Sequence, residues 1–365
     1  TLHAPGTATS SIYFTSYHDD SVGGDTNGNG SASTPAAGNW GGIITNPGAS
    51  TTLVYAEVRY GGNSFFSSFK NAGGIVTLAN TTFATTGASW APAFDHKLCT
   101  TTITSCTFQN GYYGSYVENT SPSAGVLTIA SSTFSTGNYG IYSAGVSTLS
   151  IASSTFTQYS NYGLYTERNP ILSLTNSSFA TNTVGAITFT NGNPTSFTHS
   201  ANKAWGNGMN GILIANPYIS VNQTWFGDTI PYVISGTLNV SAGYTLTIAT
   251  SSVLKFNSGT VSVSGTLKVA SATATPVYFT SYKDDIVNDT NNNGGSTSPA
   301  PGDWQNIAIN NGGVAEFTGA VIRYAGSGGR AAVANSGTDT LINSEVASSS
   351  SPGIAANAGM TMVST

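Results

Sequence analysis

Seven of the 15 acidic residues fall in two short windows: Asp19, Asp20 and Asp25 within residues 19–30, and Asp284, Asp285, Asp289 and Asp303 within residues 284–303. So dense a cluster needs a counter-charge. Asp25-x-Asn27-x-Asn29-Gly30 and Asp289-x-Asn291-x-Asn293-Gly294 put oxygen-bearing side chains at positions 1, 3 and 5 of a loop that glycine turns sharply. A hard cation with six to eight oxygen ligands requires that arrangement, and calcium is expected. The EF-hand pattern breaks at its twelfth position, where Ala36 and Ala300 replace a bidentate Glu. The missing carboxylate is expected from Asp20 and Asp285, with Asp19 and Asp284 as further candidates. Two or three carboxylates fit the affinity of extracellular modules, roughly 0.1 to 1 mM. The plain alternative is a polar turn without metal, since Asp, Asn and Gly favour turns in any case; the presence of two copies favours the cation. Its role would be structural, offsetting the repulsion and ordering entropy of a long excursion. Trp40 and Trp304 are expected to plug each loop back onto the body.

Other chemistry is sparse. Glu118 follows Phe108 by ten residues and Glu167 follows Phe156 by eleven, so the two acids are expected to project from one face. Strands about 4.8 Å apart would separate them by roughly 9 to 10 Å, near the window for an inverting carboxylate pair. Asp95, His96, Lys97 and Arg168 would lie on that face, as a polysaccharide lyase would need to neutralise a uronate and take its proton. Solvated loop tips explain the same residues without catalysis. A polyanion groove would also need more bases than the ten Lys and Arg dispersed over the chain. Tyr112, Tyr113, Tyr139, Tyr159 and Tyr162 are candidates for stacking on sugar faces or, more plainly, for packing between neighbouring elements. The four histidines, His3, His18, His96 and His199, share no metal spacing and are expected at the surface. Cys99 and Cys106 fit a small-loop disulfide in an oxidising compartment better than two free thiols. Regular Thr-x-Thr on one face, which an ice-binding surface would need, is not visible. Sequons at Asn80, Asn119, Asn176, Asn222 and Asn239 mark exposed polar loops.

The elements that carry these residues follow from composition and repetition. Only 7% of the 365 residues are charged, 43 are Gly, and 39% are hydrophobic. Disorder driven by charge is excluded, and scarce Leu, Glu and Lys beside abundant β-branched and aromatic residues predict strands and turns. A net charge of −5 offers no basic stripe for nucleic acid, and no run of about 18 apolar residues offers a membrane span. Leu78–Phe83, Ile103–Phe108, Leu127–Phe134, Leu149–Phe156 and Leu172–Phe179 share one pattern, their closing Phe residues recurring every 22 to 26 positions. Each of the last four is followed by a second strand-like piece, at Gly114, Gly140, Gly163 and Gly185. A unit this small cannot close a core alone, but stacking units in register, Phe on Phe, buries a continuous apolar column. The expected fold is an all-β parallel β-helix of roughly 13 coils, some 60 Å long at about 4.8 Å per coil.

On a longer scale, residues 12–62 return as 277–326. Tyr13-Phe-Thr-Ser-Tyr17 recurs as Tyr278-Phe-Thr-Ser-Tyr282, and Val58-Arg-Tyr60 as Ile322-Arg-Tyr324. Asp25–Trp40 aligns without gaps to Asp289–Trp304. Thr1-Leu-His3 aligns with Thr266-Leu-Lys268, so residues 1–218 are expected to be a first β-helix unit lacking its N-terminal coils. Residues 219–365 would be a second, continuous with the first and lacking its C-terminal coils. About 1.4 units of a longer tandem array is the expectation.

The motifs Tyr-Phe-Thr-Ser-Tyr-x-Asp-Asp, Asp-Thr-Asn-x-Asn-Gly, Pro-Ala-x-Gly-[Asn/Asp]-Trp and [Val/Ile]-Arg-Tyr resemble the right-handed parallel β-helix proteins of the pectin-lyase-like superfamily. More narrowly, they resemble the large secreted bacterial surface proteins in which such units recur. The resemblance implies a right-handed solenoid bearing two long Asp/Asn/Gly-rich calcium-type loops, at the cell surface or outside it. The superfamily includes lyases, hydrolases, adhesins and shafts. The leading expectation is a non-enzymatic, calcium-stabilised extracellular shaft whose partners are neighbouring copies of the same unit or chain. The alternatives are a polysaccharide lyase or hydrolase around Glu118, Glu167 and Arg168, or a carbohydrate-binding module for a surface glycan.

Overall fold

A computed structural model of the chain describes residues 1–63, 66–86, 90–118, 125–145, 148–168, 171–190, 196–357 and 359–363. Two compact units, Thr1–Ala186 and Ile187–Thr365, divide it by density of contact. That division and the 218/219 boundary of the long repeat rest on different properties, contact and sequence phase. Among the described residues, regular structure is strand except for two single 3-10 turns, Asp285–Val287 and Ser327–Gly329.

In the first unit, strands separated in sequence by a whole coil lie side by side and parallel. One ladder runs Leu2–Pro5, Ser50–Val54, Ile75–Ala79, Thr100–Thr104, Val126–Ala130, Thr148–Ala152 and Ile171–Thr175. Its register superposes Leu53, Leu78, Ile103, Ile129, Ile151 and Leu174, all closed to solvent. Outward, the same register aligns Thr52, Thr77, Thr102, Thr128, Ser150 and Ser173. This is a single file of hydroxyls rather than repeated Thr-x-Thr pairs.

One corner further on, Phe83, Phe108, Phe134, Phe156 and Phe179 form a continuous inner stack, each at most 1% exposed. Successive ring centroids are 4.9, 4.5, 4.9 and 5.0 Å apart and the planes lie within 17° of parallel. The in-register backbone sets this spacing, since each ring rides a strand about 4.8 Å from the next.

The corner between these two files is itself repeated. Asn80, Ser105, Ser131, Ser153 and Asn176 take φ of 48–54°, the left-handed region in which Asn is tolerated better than most side chains. The next residue points inward: Thr81, Cys106, Ser132, Ser154 and Ser177. Ser132, Ser154 and Ser177 each accept the backbone N–H of the preceding coil's corner at 3.1–3.2 Å. Each then donates to the carbonyl two residues before it at 2.8–2.9 Å. An internal hydroxyl ladder thus satisfies the amides that the turns release from the sheets.

The second unit repeats the plan with three parallel ladders. One contains Ile212–Ala215, Tyr232–Ser235, Val253–Phe256, Val277–Ser281, Ala320–Arg323 and Glu345–Ala347. Another aligns Ile248, Val269, Phe317 and Leu341 as an inner file.

Several sequence expectations are corrected. Cys99 and Cys106 are free and buried. They flank opposite ends of Thr100–Thr104, and a five-residue strand holds them well beyond the roughly 7 Å Cα limit of a disulfide. His96 and His199 are buried, at 0% and 4% exposure, not at the surface. Tyr159 is also interior, at 1% exposed, because three glycines on two neighbouring strands make room for its ring. A Cβ on Gly114, Gly137 or Gly140 would sit 3.0–3.2 Å from it. Of the sequons, Asn80, Asn176 and Asn222 are exposed and Asn239 half-buried, while Asn119 lies outside the described residues.

Candidate functional site

The two acidic loops are built alike. In the first unit, Thr15 Oγ1 donates to Asp19 at 2.5 Å, Arg59 lies 3.7 Å from the same carboxylate, and Ser16 Oγ donates to Asn39 at 3.0 Å. In the second, Thr280 donates to Asp284 at 2.5 Å, Arg323 pairs with it at 2.5 Å, and Ser281 donates to Asp303 at 2.6 Å. Trp40 and Trp304 donate Nε1 to the carbonyls of Arg59 and Arg323 at 2.7 and 2.8 Å. Both indoles therefore tie the returning loop to the body, and Trp304 is fully buried against Phe256, 4.5 Å away. Arg59 and Arg323 lie over the Tyr13 and Tyr278 rings at 4.9 and 5.2 Å. Burial opposes ionisation of Asp19, yet hydrogen bonds from Ser21 and Thr15, with Arg59 adding its charge, hold its carboxyl below the usual range. Asp19 is thus held by Thr15 and Ser21 with Arg59 further off, whereas Asp284 gives Oδ2 to Thr280 and Arg323 and keeps Oδ1 shielded without a donor.

The Asp-x-Asn-x-Asn-Gly turns are also alike. Asp25 accepts the N–H groups of Asn29 and Gly30 at 3.1 and 2.7 Å, and Asp289 those of Asn293 and Gly294 at 3.0 Å each. Asn27 Oδ1 accepts the Asn29 N–H at 3.2 Å. Asn29 and Asn293 donate to Ser33 and Thr297, and Asn293 turns its oxygen to the amides of Gly295 and Ser296. The oxygens that remain are informative. Asp20 Oδ1, both oxygens of Asp285 and Asn291 Oδ1 are shielded from solvent and accept no hydrogen bond. Burial, and after it the charge of Asp289, raises the Asp285 carboxyl. Carboxylate and amide oxygens left without donors suit a hard cation. Asp20, Asp25 and Asn27 would hold it in the first loop, and Asp285, Asp289 and Asn291 in the second. Among the described residues no three His, Cys, Asp or Glu side chains converge, so two carboxylates, Asn oxygens and water would complete either set.

Sequence reasoning passed over Lys255. It lies in Val253–Phe256, a strand buried at all four positions, and its ammonium donates to the carbonyls of Asp284, at 2.8 Å, and of Asn288. Burial lowers its pKa to about 8, against the nearby charges of Asp284, Asp285 and Asp289. The second loop thus wraps an internal cation from an earlier coil. Asn210 holds the loop further back, donating its N–H to Thr290 O at 2.8 Å and Nδ2 to Asp289 O at 3.1 Å. The signal, a Lys inside an otherwise apolar strand, is present in the sequence.

The outer sheet of the first unit carries the alternative site. Its register aligns Lys70, Asp95, Tyr116, Tyr142 and Tyr165 in one outward file and pairs Lys97 with Glu118 beside it; Glu167 follows Tyr165 by two residues, as Glu118 follows Tyr116. Glu118 and Glu167 therefore lie two coils apart on one face. Glu118 is paired with Lys97 at 3.1 Å, and Glu167 accepts the hydroxyls of Tyr142 and Tyr165 at 2.7 and 3.2 Å. Arg168 is exposed at the edge. His96 sits on the inner side, its Nδ1 3.0 Å from Thr101 Oγ1 and 3.3 Å from Cys99 Sγ. Burial pushes its pKa down to about 4 and that of the Cys99 thiol up to about 11, so both are neutral packing groups near pH 7. In the second unit His199 lies between Asp228, at 3.1 Å, and Tyr232, at 2.5 Å, a closed interior network.

No curated protein and no solved structure matches the chain. Residues 41–223, just over half of it, match the family described as the right-handed β-helix region. Parallel coils, in-register files and that match agree: the chain belongs to the right-handed β-helix family, an all-β parallel solenoid.

Proposed function

We propose that this chain is a non-enzymatic extracellular shaft, stabilised by calcium, whose role is reach, rigidity and presentation at a cell surface within an array of like units. One observation carries the reading. The same set of loop-to-body ties, Thr–Asp–Arg, Ser–Asn/Asp and Trp–carbonyl, recurs in both units on residues 264 or 265 positions apart. Charged residues, scarce in this chain, are spent on holding coils and loops together. Calcium in the paired turns would neutralise the carboxylates that these ties leave over, and repetition of the unit would extend the shaft.

The competing reading, a lyase or hydrolase at Glu118, Glu167 and Arg168, has their common face in its favour. Against it, Glu118 is engaged by Lys97 and Glu167 by two tyrosines. The test is incubation with pectin, alginate and neutral glycans, with calcium and with chelator. The shaft reading expects no new reducing or unsaturated ends under either condition; their appearance, together with its loss in Glu167→Gln, would establish the enzyme instead.

A further inference from the structure

The Tyr116, Tyr142 and Tyr165 rings stack face to face, 5.6 and 4.6 Å apart and within 18° of parallel, so the ladder covers its own faces and offers edges and hydroxyls. Its lower end differs. Beneath Tyr116 a cleft of about 300 Å³ opens, walled by Phe66, Trp90, Tyr113 and Tyr116 and floored by Lys70 and Asp95. Trp90 rests against Tyr112, 4.7 Å away, yet is 67% exposed, and Phe66 is 48% exposed. Large rings left open to water beside a cleft stand apart from the file Phe83, Phe108, Phe134, Phe156 and Phe179, which is closed to solvent.

The floor is the second, independent observation. Asp95, which lines the cleft, is 7% exposed; Oδ2 pairs with Lys70 at 3.1 Å, while Oδ1 is shielded and has no hydrogen-bond donor among the described residues. A buried carboxylate oxygen without a donor costs free energy until a ligand supplies one. Burial accordingly raises the Asp95 carboxyl, in spite of Lys70.

We propose that this cleft binds one neutral pyranose of a glycan, its C–H face laid on Trp90, one hydroxyl donating to Asp95 Oδ1 and a neighbouring one accepting from Lys70. The Lys70–Asp95 and Lys97–Glu118 pairs leave the floor and its neighbour electrically neutral, so a uronate carboxylate would find no unpaired cation to repay its desolvation. A wholly apolar ligand would leave Asp95 unsatisfied. The volume is at the lower end for ligand pockets and fits one sugar ring rather than a chain. The inference stands independently of the calcium reading and adds recognition, not cleavage, to the shaft.

The test is calorimetric titration of the whole chain with glucose, galactose, N-acetylglucosamine and galacturonate, beside Trp90→Ala and Asp95→Asn. Exposed Trp90 can be truncated without opening the core, and equal melting midpoints would establish that the variant is folded. The expected result is millimolar or tighter binding of at least one neutral sugar, weakened about tenfold in each variant, with galacturonate about tenfold weaker or silent. Silence of all three neutral sugars at 50 mM, equal binding of galacturonate, or undiminished binding in folded Trp90→Ala would overturn the proposal.

Discussion

His96 sets the clearest pH dependence in the molecule. Closed to solvent and neutral beside Cys99 and Thr101, it takes up a proton in the folded chain only near pH 4, whereas the unfolded chain does so near 6.5. The unfolded state therefore binds more protons between those values. The stability this residue withholds from the unfolded state is whole above about pH 6.5 and drains as pH falls to 4, by up to about 3 kcal/mol. Urea melts of the first unit across pH 4–7 should show that loss, and His96→Gln should flatten the profile; an unchanged slope in the variant would remove His96 from the account. Such residues were the least legible in the sequence. Whether His96, Cys99 or Tyr159 faces in depends on coils distant in sequence. Tyr159 enters only because Gly114, Gly137 and Gly140 stand aside, and none of those glycines is adjacent to it.

At the scale of elements, the phenylalanine file was readable in advance because the same apolar side chain returns once per coil and nothing else competes for that place. The stack from Phe83 to Phe179 follows from that spacing, with rings 4.5–5.0 Å apart. Phe134, in the middle with a ring on either side, should cost about 3–5 kcal/mol when cut to Ala, while Phe134→Leu should cost less than half of that. Equal melting of Phe134→Ala and wild type would mean that the file carries no weight. The loops were legible by composition, through their Asp, Asn and Gly, but their anchoring was not. Val253–Phe256 is buried at all four positions, and the loop carbonyls of Asp284 and Asn288 that receive the Lys255 ammonium lie about 30 residues further along the chain. Lys255→Met would strip a donor from two carbonyls and a cation from three carboxylates. The expected loss is about 2–4 kcal/mol in the second unit, with faster amide exchange over residues 284–293. Exchange as slow as in wild type would show the loop to be held by other contacts.

At the scale of the whole molecule, the long repeat joins sequence to function: two loops of one design, each tied to its own coils by the same partners, each leaving carboxylate or amide oxygens without a donor. Those oxygens make calcium the proposed component most open to direct trial. The decisive measurement is the thermal midpoint of the whole chain against free calcium, from chelator to 10 mM, for wild type and the double variant Asp20→Asn/Asp285→Asn. With dissociation constants of roughly 0.1–1 mM, 10 mM calcium should stabilise each loop-bearing unit by about 1.4–2.7 kcal/mol, with half of the rise reached at about 1–2 mM free calcium and little or none in the double variant. A wild-type midpoint that is the same in chelator and in 10 mM calcium would contradict the account.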